Sequence, residues 1–110
     1  MKLWVDDVRP APKGYVWVKS VSRAKSVICK YENENKQIKE SFGFEEIPIE
    51  VIDIDHDAGE YVSDGGDYIK LLDWLEATGR NYPIHIHSMN PVGVENMRRI
   101  IEKNEWEEIK

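Results

Sequence analysis

Three apolar runs of the sequence end in residues that could do chemistry. Leu3-Trp4-Val5 leads into Asp6-Asp7, Val51-Ile52-Asp53-Ile54 into Asp55-His56-Asp57, and Ile84-His85-Ile86 into His87-Ser88 and then Asn90. Carboxylates brought close together raise one another's pKa unless a cation neutralises them. A hard divalent ion is the simplest such cation. Magnesium suits a site with few carboxylates and several waters, and manganese is the alternative. Asp6, Asp7 and Asp55 are therefore the candidate metal ligands.

The histidines add acid–base capacity. His87 and His56 are the candidate catalytic pair, one imidazole activating a nucleophile and the other protonating a leaving oxygen. Arg9 carries the guanidinium fork that suits a phosphate. Asp57, Ser88 and Asn90 complete the candidate substrate contacts. Each assignment has a structural alternative. Aspartates commonly close turns, and Asn90 is a good helix N-cap. His85 lies deeper in its run and reads as a packed residue. The His85-x-His87 spacing could join an aspartate on zinc, but one such pair is not specific. Asp53 falls on the same side of the pleat as Asp55. It reads as a buried carboxylate bonded to backbone or to a histidine, outside the site.

The elements that must position these residues follow from pattern. Strands are expected at Lys2–Val5, Tyr15–Val18, 49–54 and 84–87, with a short fifth at 106–109. From Ser20, Val21, Ala24, Val27, Ile28 and Tyr31 recur at helical spacing. The polar stretch 32–40 reads as a solvated helix extension or a loop. Residues 68–75 form a second helix, stopped near Gly79. Asn90-Pro91 opens a third, with Val94, Met97 and Ile101 as its stripe. Trp4, Trp17 and Trp74 read as core, and Cys29 as a small buried hydrophobe. Alternating strands and helices predict an α/β domain with a mostly parallel sheet and helices on both faces. In such sheets ligands bind beyond the carboxyl ends of the strands, where all three polar endings would meet.

Composition narrows the class. The 110 residues suit one domain, 1–110, and 41% hydrophobic residues can build its core. Fifteen lysines and arginines against 21 acids give a net charge of -6, which excludes a strongly basic nucleic-acid surface. No apolar run approaches the ~18 residues of a membrane span. The acidic pair at Asp6-Asp7 interrupts what a signal peptide would continue, so a soluble, cytoplasmic protein is expected. A lone cysteine forms neither an internal disulfide nor a multi-cysteine zinc site.

Leu3-Trp4-Val5-Asp6-Asp7-Val8-Arg9-Pro10, Asp55-His56-Asp57-Ala58-Gly59 and His85-Ile86-His87-Ser88-Met89-Asn90-Pro91-Val92-Gly93, in this order and spacing, resemble the cyclic-phosphate processing receiver-like domain family. These are small bacterial and phage proteins related to response-regulator receivers. The resemblance implies a three-layer receiver-like, flavodoxin-type fold with strand order 2-1-3-4. It also implies a role in processing cyclic phosphates of nucleotides or RNA ends; with the candidate metal ligands and histidines, the expected activity is a metal-dependent phosphoesterase. In receivers, the positions of Asp6, Asp7 and Asp55 hold magnesium, that of Asp55 accepts a phosphoryl group, and a hydroxyl residue after the fourth strand corresponds to Ser88, or its place is taken by His87. The receiver lysine after a fifth strand has no counterpart except the terminal Lys110, and the histidines are not receiver features. The alternatives are a non-catalytic nucleotide- or phosphate-binding module and a receiver-type phosphoacceptor.

Overall fold

The computed structural model describes all residues, 1–110. Four strands, β1 (Lys2–Val5), β2 (Tyr15–Val18), β3 (Val51–Ile54) and β4 (Ile84–Ile86), form one parallel sheet in the order β2-β1-β3-β4. Three helices, α1 (Val21–Phe42), α2 (Ile69–Ala77) and α3 (Pro91–Lys103), alternate with them. A 3-10 turn at Gly59–Ser63 precedes α2. The fifth strand reduces to a single bridge between Ile84 and Glu108. The α/β receiver-like class and the order 2-1-3-4 are as expected. No helix is long and apolar enough to cross a membrane.

The helix ends follow local chemistry. Ser20 caps α1 by accepting from the Arg23 amide at 3.1 Å. At the other end Gly43, with φ at 74°, turns the chain and donates to the Lys39 carbonyl at 2.9 Å. Only Val21, Ala24 and Ile28 of α1 are buried, so the polar stretch is a helix extension running out into solvent.

The layering is leaner than the resemblance implies. Leu3, Val5, Ile52, Ile54 and Ile84 point to one face of the sheet and join Ala24, Ile28, Leu71, Leu72, Leu75, Met97 and Ile101 in a single core. All three helices therefore lie on that face. The connections from β2 to β3, from β3 to β4 and onward from β4 all run the same way across the sheet, and right-handed crossovers place them together. The β1–β2 connection runs the other way but holds only nine residues, 6–14, and no helix. The opposite face, with Lys2, Trp4, Tyr15, Trp17, Asp53 and His85, thus has no helix over it.

This bare face corrects two core assignments. Trp17 is 37% exposed on the edge strand, and Trp4 is only half-buried. Trp74 packs against the core margin. Cys29 is exposed on α1, one residue out of phase with buried Ile28, where it meets the Arg80 guanidinium at 3.6 Å.

Arg80 also ties α1 to the segment before β4. Its Nε and Nη2 donate to Glu32 at 2.8–3.1 Å, and the Tyr82 hydroxyl donates to the same carboxylate. Burial alone would raise the Glu32 pKa, but these donors outweigh it and hold it below its usual value. The stability this confers is therefore present above the unfolded pKa of about 4.3 and is lost as pH falls through the folded one. E32Q is expected to cost on the order of 1 kcal/mol at neutral pH, the partial exposure of the pair screening it. The gap in urea midpoint from wild type should close as pH drops to about 3. A gap independent of pH would contradict the assignment.

Candidate functional site

Strands β1 and β3 are hydrogen-bonded neighbours, with Val5 beside Ile54. Asp6 and Asp55 consequently leave the sheet side by side, the Asp55 amide donating to the Val5 carbonyl at 2.9 Å. Asp6 is 0% exposed. Its Oδ1 accepts from the amides of Val8 and Arg9 at 3.0 and 2.9 Å, closing the loop after β1. Asp7 lies against Gly59, where any Cβ would collide with its Oδ2. The glycine is the space into which this carboxylate fits. Asp6, Asp7 and Asp55 each offer an oxygen, and the three lie within 4.8 Å of one another.

Charge at this cluster is poorly balanced. Burial raises the Asp7 pKa, and the charges of Asp6 and Asp55 raise it further, against a backbone hydrogen bond that lowers it. The phenol of Tyr68 is pushed well up by its burial and then by the same three carboxylates. Its hydroxyl donates instead to the Lys19 carbonyl at 2.8 Å. Three carboxylate oxygens within 4.8 Å of one another, one of them on an acid whose pKa is raised, fit a hard divalent cation.

The second cluster rises from the bare face. Asp53 on β3 lies opposite His85 on β4, and His87 follows two residues on, facing the same way. Oδ1 of Asp53 meets Nδ1 of His85 at 2.8 Å and Nδ1 of His87 at 2.6 Å. The other nitrogen of His87, Nε2, meets Oδ2 of Asp6 at 2.8 Å. A neutral imidazole has one N–H and would turn a lone pair toward one of the two carboxylates. Two ionised partners therefore call for the doubly protonated ring. Burial opposes that charge, but the hydrogen bonds to Asp53 and Asp6 outweigh it and raise the His87 pKa. Reciprocally, Asp53 is lowered by the two histidines against its burial. Asp6 is lowered against its burial by the Arg9 amide, His87 and the Val8 amide. Trp4 stacks on the His87 ring, centroids 3.9 Å apart and planes 3° from parallel, and fixes its orientation.

The remaining candidates surround these two clusters. Nη1 of Arg9 donates to the His87 carbonyl at 3.3 Å, which holds an exposed guanidinium at the rim. His56 turns the other way, toward the start of α3. Its Nδ1 pairs with Oδ1 of Asp57 at 2.9 Å, and Nδ2 of Asn90 is 3.5 Å from the same nitrogen. Asp57 thus orients a histidine. Oδ1 of Asn90 caps α3 by accepting from the Gly93 amide at 3.1 Å, and the Ser88 hydroxyl accepts from the Asn90 amide at 3.1 Å. The triad, His87 and Arg9 are linked, while His56 and Asp57 form a second pair, joined to the triad through the His56 amide, which donates to Oδ1 of Asp55 at 2.8 Å. Asp53 and His85, set aside in the sequence, belong to the His87 network. The available signal was the period-2 spacing of Asp53 with Asp55 and of His85 with His87.

Comparison with known proteins identifies the family. Residues 1–103 match the family model described as the cyclic-phosphate processing receiver domain, and the chain belongs to that family. No curated protein and no solved structure matches it.

Two substitutions test the site's construction. D53N leaves the His87 charge without one of its two carboxylates, a loss on the order of 3 kcal/mol for a buried pair. The raised His87 pKa contributes stability that is full below the unfolded value of about 6.5 and is lost as pH rises through the folded one. The deficit of D53N should therefore narrow in alkali, and His87 should lose its proton at lower pH in imidazole nitrogen NMR. Unchanged His87 titration would refute the arrangement.

At Gly93, a Cβ would strike the His56 ring. G93A should therefore destabilise by about 1–3 kcal/mol despite alanine's better helix propensity. In an H56A background the same change should become neutral or stabilising in thermal unfolding. Additive effects would mean that the two residues do not touch.

Proposed function

We propose that this member of the cyclic-phosphate processing receiver family is a phosphoesterase that opens a cyclic phosphate of a nucleotide or RNA end with the help of a divalent ion. The observation that carries the proposal is the gathering of one oxygen each from Asp6, Asp7 and Asp55 within 4.8 Å of one another, with His87 bonded directly to Asp6. Asp6, Asp7 and Asp55 would hold the ion, magnesium or alternatively manganese. When bound, it supplies polarisation of phosphate oxygens and activation of water. Arg9 brings a positive charge to the same rim, anchored through the His87 carbonyl, with the rest of its fork directed to a phosphate oxygen. Ser88 and Asn90, at the opening of α3, lend a hydroxyl and a carboxamide to the phosphate.

Two histidines divide the proton chemistry. His87 stores a proton between Asp53 and Asp6 and serves as the acid toward the leaving oxygen. His56, with Nδ1–H directed to Asp57, retains a lone pair on Nε2 and serves as the base. Asp57 acts by fixing that tautomer.

A second reading draws on a specific feature of His87. Both of its ring nitrogens are committed to carboxylates, so transferring a proton costs one of those bonds. A module that binds a cyclic nucleotide or a phosphate without turning it over has no such cost.

Phosphorus NMR of the purified chain with 2′,3′- and 3′,5′-cyclic nucleotides, with magnesium or manganese, decides between them. Turnover that falls at least about a hundredfold in D7N and in H56A supports the esterase. Metal-dependent calorimetric binding without turnover supports the binding module. Neither turnover nor binding above the D7N level refutes both.

A further inference from the structure

We propose that Asp53, His85 and His87 form a second metal site, for a borderline divalent transition ion of the zinc class, on the bare face of the sheet. The site is separate in chemistry from the carboxylate triad. Its donors are two imidazole nitrogens and one carboxylate oxygen, the set that zinc, cobalt and their neighbours accept and that magnesium avoids. Both Nδ1 atoms point at the same oxygen of Asp53, at 2.8 and 2.6 Å, and one ligand atom from each residue lies within 4.8 Å of the others. Zinc-class ligands aim at a shared point about 2 Å from each donor, so an ion entering here parts these two hydrogen bonds and takes the place of the protons between the rings and Asp53.

The surroundings match a metal's outer shell. Nε2 of His87 faces Oδ2 of buried Asp6 at 2.8 Å, the carboxylate–histidine–metal relay that presents the other nitrogen to an ion. Trp4 holds the ring plane. An ion at Nδ1 leaves the contact between Nε2 of His87 and Asp6 in place. Three protein ligands leave a position open. That position is reachable, since His85 is 34% exposed and borders an open depression with Lys2, Tyr15, Glu50 and Ile109.

Cobalt(II) titrated into the full chain, with excess magnesium present to fill the carboxylate triad, tests the site. One cobalt should bind with visible ligand-field absorption and be displaced by zinc. In the zinc form the Nδ1 resonances of His85 and His87 should move while those of His56 stay. H85A, which changes a partly exposed residue away from the triad, should weaken binding at least about tenfold, the low end of what even an outer partner is worth. D7N, which disables only the triad, should bind cobalt as wild type does. The proposal is overturned if wild type takes up no cobalt or zinc, if H85A binds as tightly as wild type, or if D7N abolishes binding. None of these results depends on turnover of a cyclic phosphate.

Discussion

One imidazole shared by two carboxylates organises this molecule. His87 stands between Asp53, from inside the sheet, and Asp6, from the loop at its rim. Each acid is buried, and neither could stay ionised there without a donor. The ring meets both demands at once and in doing so joins the bare face to the edge where the acidic triad gathers. Asp6 belongs to both groups. One of its oxygens closes the loop through the Val8 and Arg9 amides, and the other receives His87.

The consequence is a division between balanced and unbalanced charge. Along His85, Asp53, His87 and Asp6, donors and acceptors alternate, and no buried side-chain polar atom is left without a partner. Beyond Asp6 the alternation stops. Asp7 and Asp55 add negative charge beside an acid already neutralised on its far side, and the Asp7 carboxyl responds with a raised pKa, led by its burial. A receiver-type pocket answers such an excess with an ion and with a lysine from a fifth strand. Here the chain past α3 contributes a single bridge at Glu108, and Asp6 pairs instead with His87, just past β4.

That substitution is possible because the sheet is covered on one side only. A helix over the second face would bury Trp4, Tyr15 and His85 and leave no approach to Asp53. With nine residues between β1 and β2, the face stays open and polar residues can occupy it. The hydrophobic core loses nothing by this, since all three helices pack on the other side around Leu3, Ile52, Ile54 and Ile84.

Much of the frame was legible in the chain itself. Short β-branched runs ending in acids or histidines located the strands and their functional ends, and Ser20, Asn90 and Pro91 marked helix starts, because those signals act within a few residues. Parity along a strand was legible too, and it already placed Asp53 with Asp55 and His85 with His87. What covers each face was not, because that depends on connections between distant strands. Trp17 reads as core by its chemistry and is exposed by its neighbours, and Cys29 misses burial by one helical position. The sequence determined which residues share a side of the sheet. The family resemblance implied that β3 would stand between β1 and β4; only the folded arrangement decided that one histidine would reach two acids 34 and 81 residues away. Hydrogen bonds of under 3 Å are set by packing in space, and separation along the chain carries no record of them.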